Sequence, residues 1–320
     1  MVFILVGPKP DKPAYDTSLT GIHLTLKALQ DSLNDAEVNN KRIKLNNQAR
    51  IIWADSLEQQ TDWVIVYLHG FSASQMEGDP IHRKIARHFG MNLYLARLSD
   101  HGLRSDSALV HMTADRLWET AKKALVIGQK LGKHVILMST STGGTLALRL
   151  AAEYPERVDA LINYSPNVRI NSKFAWIMNN AWALPILKLI TDQGYVNTSG
   201  AGDSLISQYW NTRYRVEALT ELEELVETSM QETLFASIVC PSLTIAYYKD
   251  EDHQDPTVKV SAMRWMNRLL STQEARKRFV ELPDVGVHPL ASGLRSKDLK
   301  SVEEQTIRFI EEVLSLKPSL

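Results

Sequence analysis

Five small polar residues in a row, Ser139-Thr140-Ser141-Thr142-Gly143, separate an apolar run, His134 to Met138, from a helix-like run, Thr145 to Tyr154. The pattern predicts a strand, a sharp elbow and a helix. An elbow that pushes one side chain into a strained, exposed position needs small residues two places before it and two places after, or strand and helix collide. Ser141 meets both conditions through Ser139 and Gly143, whereas Ser139 has Leu137 two places before it. A serine hydroxyl becomes a nucleophile when a base takes its proton and an acid holds that base in one tautomer. The same residues would also suit an ordinary helix start, where Ser and Thr are favoured caps. A base and an acid elsewhere in the chain decide between the two.

The elbow resembles the G-x-S-x-G nucleophile turn of the α/β-hydrolases, with Ser139 in place of the first Gly. In that family the nucleophile, an acid and a histidine follow one another along the chain, each after a strand. Ser141, the acidic loop Lys249 to Asp255, and His288 stand in this order. His69, His82, His88, His101, His111 and His134 come before Ser141, and His253 shares the acidic loop, so the resemblance selects His288. Asp255-Pro256-Thr257-Val258 has the form the family gives its acid, which makes Asp255 the expected acid, with Asp250 and Asp252 as rivals. The strand ending in His69-Gly70-Phe71 implies an oxyanion hole made by the backbone N–H groups of Phe71 and Thr142.

A serine at the elbow points to serine esterases and monoacylglycerol-lipase-like members, since the dehalogenase and epoxide-hydrolase members need Asp there. The resemblance therefore implies hydrolysis of an uncharged carboxylic ester with an apolar acyl chain, through an acyl-enzyme on Ser141. The alternative is a non-catalytic protein of the same fold that binds or senses a ligand. An intact serine, acid and histidine favours the enzyme.

These residues need a scaffold of alternating strands and helices. Arg50 to Trp53, Trp63 to Leu68, Asn92 to Arg97, Val158 to Tyr164, Ser242 to Tyr248 and Arg278 to Leu282 are strand-like, and the second is a continuous apolar run suited to a strand buried on both faces. Helical stretches fall between them, including Thr113 to Leu131, a helix opened by Pro256, and an amphipathic helix from Ser301 to Leu316. Strands alternating with helices imply an α/β fold with a mostly parallel sheet. The organisation expected is an arm and short helix over residues 1–50, an α/β-hydrolase core over 51–170 and 233–320, and a helical cap over 171–232, inserted after the family's sixth strand. Phe174, Trp176, Trp182, Trp210 and Tyr214 lie in that insertion and are expected mostly to pack it onto the core, a minority of them lining the pocket.

Composition bounds the rest. With 320 residues, 44% of them hydrophobic, the chain can bury a large core without disulfides or metal. The formal net charge is -1 and the basic residues are scattered, which argues against nucleic acid or an anionic membrane as partner. A single cysteine, Cys240, excludes an internal disulfide and a cysteine-based zinc site. The acidic loop lacks the Gly and Glu of a calcium-binding loop, so neither metal nor other cofactor is expected. The apolar start, Met1 to Val6, is far shorter than a membrane span, which suggests a cytoplasmic protein, or a membrane-associated one if a longer anchor precedes it. Oligomeric state is not readable from the sequence.

Overall fold

The computed structural model describes residues 7–319 apart from Ser199 and Ala201, so the apolar Met1 to Val6 lies outside the described residues. An extended arm leads to helix α1 (Leu26–Leu33), capped by the Thr25 hydroxyl. The core then runs β1 (Arg50–Ile52), β2 (Thr61–Leu68), α2 (Ile81–His88), β3 (Asn92–Leu95), α3 (Ala114–Leu131), β4 (Gly132–Thr140), α4 (Thr142–Glu153) and β5 (Ala160–Tyr164). An excursion follows, with α5 (Ala183–Ile190), β6 (Tyr195–Asn197), α6 (Ser204–Tyr209), β7 (Arg213–Arg215), α7 (Glu217–Ser229) and α8 (Glu232–Ala236). The chain closes with β8 (Ser242–Tyr247), α9 (Val260–Leu269), β9 (Lys277–Leu282) and α10 (Leu299–Val313).

Seven strands form one sheet in the order β1-β3-β2-β4-β5-β8-β9. Every neighbouring pair is parallel except β1 with β3. The period-two alternation of a strand explains why β2 is apolar throughout. Val64, Val66 and Leu68 face a core shared with α3, α4 and α9, while Ile65 and Tyr67 face one shared with α2 and α10. The mostly parallel sheet flanked by helices is the α/β-hydrolase architecture.

Three sequence expectations change. One concerns the excursion, which leaves after β5. It is not purely helical, because β6 and β7 pair antiparallel as a separate ribbon. Pro256 does not open a helix. The Asp255 carboxylate takes the Thr257 and Val258 N–H groups and Val258 bridges to Ile170, so the chain turns there and α9 begins at Val260. Phe174 and Trp176 do not pack the excursion onto the core, being 68% and 62% exposed, whereas the Trp182 ring lies against Gly7 of the arm. Among the described residues, no helix is long and apolar enough to cross a membrane.

Candidate active site

Parallel strands collect their functional loops at their carboxyl ends. β4 delivers Ser141 there, with φ +54° and ψ -120°, a left-handed backbone that a non-glycine residue holds only when its surroundings fix it. The fixing contacts are visible. The Ser141 N–H donates to Tyr164 O, and Ser141 O accepts from Gly144, Thr145 and Asn167. Gly143 must lack a side chain, since a Cβ there would lie 2.0 Å from Leu68 O on β2. Ser139, in place of the usual glycine, is buried and turns its hydroxyl away to donate to Asn163 Oδ1 on β5 at 2.7 Å.

Across from the elbow, the loop after β8 carries Asp255 and the loop after β9 carries His288. Nδ1 of His288 lies 2.8 Å from Asp255 Oδ2, and the other carboxylate oxygen is held by the two backbone N–H groups already named. Burial pushes the Asp255 carboxyl up, but the His288 charge and the three hydrogen bonds outweigh it and leave it below the usual range. The same pairing helps hold the His288 proton: burial lowers its pKa, Asp255 and Glu77 together raise it more, and the net direction is up. A carboxylate on Nδ1 leaves Nε2 as the free nitrogen, and Nε2 is buried with no partner among the described residues. Asp250 and Asp252 are not brought to His288. Asp250 is exposed and binds His253 within its own loop at 2.7 Å.

Ser141, His288, Phe71 and Thr142 all line one cavity of about 480 Å³. Phe71 follows the end of β2, and Thr142 is the first residue of α4, where backbone N–H groups are free and a developing negative charge is favoured. The excursion supplies the opposite wall, including Met178, Ile206, Trp210, Tyr214, Leu219 and Leu222. Asn211 of the excursion donates its N–H to Ser72 O, directly beside Phe71. Lys44 of the arm holds that stretch in turn, with Nζ on the carbonyls of Ser207 and Trp210 and on Asn211 Oδ1.

A model described as serine aminopeptidase, S33, matches residues 59–239, more than half of the chain and including the elbow. The chain belongs to this family of α/β-hydrolases. The match ends before Asp255 and His288, which the geometry alone adds to the serine. Among solved structures, one from a study of the metagenome-derived lipolytic enzymes LipS and LipT superposes with a TM-score of 0.67 at 16% identity, covering 84% of this chain and 99% of that one. A monoacylglycerol lipase from Paleococcus ferrophilus gives 0.59 at 12% identity over 82% and 98%. A monoglyceride lipase from Saccharomyces cerevisiae gives 0.58 at 10% identity over 82% and 91%. At these identities the likeness is one of fold. A search of curated proteins finds no significant match.

Three features of the site were missed in the sequence. Lys44 and Asn211 carry no motif. Glu77, a carboxyl that also lines the cavity, sits in a turn without periodicity, and its only signal is Gly70 seven residues earlier. Cys240 is buried and free, and burial pushes its thiol up to about 12. Among the described residues no group of three or more His, Cys, Asp or Glu side chains could hold a metal ion.

Proposed function

We propose that the protein is a serine hydrolase that cleaves uncharged carboxylic esters through an acyl-enzyme on Ser141. The observation that carries this reading is the left-handed Ser141 on the wall of a cavity that it shares with a His288 already bound to Asp255. In the proposed reaction His288 Nε2 takes the hydroxyl proton as Ser141 Oγ attacks the ester carbonyl. The carbonyl oxygen becomes an oxyanion that accepts from the Phe71 and Thr142 N–H groups. Collapse breaks the ester C–O bond, and the departing alcohol takes the proton from His288. A water molecule then gives its proton to His288 and attacks the acyl carbon, and the released serine recovers the proton. Asp255 remains ionised throughout and keeps the imidazole oriented.

Residues 171–232 act in this reading as a cap whose apolar side chains, Met178, Ile206, Leu219 and Leu222, receive the acyl chain. Arg295 at the cavity wall is a single exposed cation rather than a basic cluster, which fits an uncharged substrate. A cytoplasmic setting belongs to the same reading, in keeping with one unpaired cysteine. The test is twofold: labelling by a fluorophosphonate, and turnover of p-nitrophenyl esters of increasing chain length beside aminoacyl p-nitroanilides. Labelling on Ser141 with faster butyl to octyl than acetyl turnover is expected. Faster anilide turnover would shift the substrate to peptides with a free amino end, and no labelling at all would leave a binding protein.

A further inference from the structure

Glu77 ends a short turn, Gln75–Glu77, that follows β2, and the reaction just described gives it no role. It is only 4% exposed, yet it lines the cavity. Its Oε2 accepts the Gly70 N–H at 2.6 Å, and its Oε1 faces Trp210 Nε1 of the excursion at 3.4 Å. A Cβ on Gly70 would lie 2.7 Å from Glu77 Oε2 and 2.8 Å from Ser141 Cβ. The carboxyl and the nucleophile therefore crowd the same glycine, and that glycine is the residue immediately before Phe71.

We propose that Glu77 is a positioning residue of this site, one that supports turnover in its uncharged form, suppresses it as a carboxylate, and so sets the alkaline limit of activity. The proposal rests on the reading of Ser141 as nucleophile. In either form Oε2 can accept the Gly70 N–H and hold the end of β2, so the next N–H along, that of Phe71, stays aimed at the oxyanion. As a carboxylate, Glu77 also adds a second negative charge beside the oxyanion, in a cavity where little water screens it.

The surrounding charges do not cancel that effect. Tyr67 on β2 feels the Glu77 charge, and His82, which packs on the Tyr67 ring, is held neutral by burial at a pKa of about 4. Asp79, at the start of α2, adds negative charge near Tyr67 and pairs with Arg83. Asp255 lies behind His288 and is matched by it, and Arg295 is exposed to solvent. That leaves His288 as the neighbour whose positive charge favours ionised Glu77, and His288 must lose that charge to act as base. Burial pushes Glu77 up to about 7 against the His288 charge and the Gly70 and Trp210 hydrogen bonds, and loss of the His288 charge moves it further up. Glu77 and Asp255 in turn both raise His288.

The test is Glu77→Gln, which keeps an acceptor for the Gly70 N–H. Turnover of p-nitrophenyl butyrate is followed from about pH 5 to about pH 9 in both proteins, after a fluorophosphonate has been shown to label Ser141. The wild-type kcat/KM is expected to fall about tenfold or more on the alkaline side, as Glu77 ionises beside an uncharged His288. The variant should hold its plateau on the alkaline side, and its acid limb should move to lower pH, because the negative charge that retains the His288 proton is gone. A variant with the wild-type alkaline limb, or one equally weakened at every pH, overturns the proposal. If the variant does not fold, the wild type decides, since a flat plateau up to about pH 9 also overturns it. Wild-type labelling and turnover with either of these outcomes removes the role of Glu77 alone, whereas no labelling and no turnover removes the hydrolase reading with it.

Discussion

The carboxyl edge of the sheet and the excursion of residues 171–236 treat their polar and apolar groups in opposite ways. At the sheet edge Asp255 and Ser141 are each held by several other groups. Asp255 is fully buried with three hydrogen-bond donors on its carboxylate, and Ser141 is fixed by four backbone hydrogen bonds. In the excursion, large apolar side chains stand in solvent, among them Phe174, Trp176, Ile186, Ile190, and Leu189 at 85% exposure. Buried, over-determined contacts give a geometry that chemistry can use, and exposed ones leave a segment that tolerates substitution and contributes little to stability. Each of the following measurements attacks that contrast.

The largest effect is expected for Ser141→Ala, which should reduce kcat by about 10⁴-fold or more without changing the unfolding midpoint, because the hydroxyl supports no core contact. Ser139→Ala should retain most activity. Mass spectrometry that finds a fluorophosphonate on Ser139 would reverse the two. Next comes Asp255→Asn, expected to cost about four orders of magnitude in kcat, the loss seen when the acid of a serine-protease triad becomes an amide. Asp250→Asn and Asp252→Asn should stay within a few-fold of wild type, and a collapse in either would move the acid out of the buried position.

On the stability side, Phe309→Ala removes a fully buried ring from α10 and should destabilise the fold by about 3–5 kcal/mol in urea unfolding. The smallest effects belong to the excursion. Trp176→Ser and Leu189→Ser should each change stability by about 0.5 kcal/mol or less, as surface substitutions do. A loss comparable to that of Phe309 would show that the exposed segment is held by contacts the fold does not reveal.

The same contrast separates what could be read in the sequence from what could not. Ser141 was legible because its constraint is local: the clash between β4 and α4 demands small residues at fixed offsets. The core strands were legible because burial on both faces leaves a continuous apolar run, as in Trp63 to Leu68. Asp255 and His288 needed the family order, since 33 residues separate them and only the fold brings them to 2.8 Å. Pro256 misled because its fixed φ suits a turn as well as a helix start, and the Asp255 carboxylate claims the two N–H groups that follow it. Phe174 and Trp176 misled because apolar character normally implies burial, and nothing in a local pattern tells which face has a neighbour. Glu77 could not be found at all, because its partners, Gly70 and Trp210, have no common spacing that a motif could hold.

The buried Cys240 makes the exposed segment easy to observe. Its thiol is shielded and remains protonated at any ordinary labelling pH, so a maleimide has almost nothing to react with in the native fold. A cysteine introduced at Leu189 would then be the sole reactive thiol, with no need for a cysteine-free background. A spin label or fluorophore attached there would follow the excursion while substrate enters and product leaves.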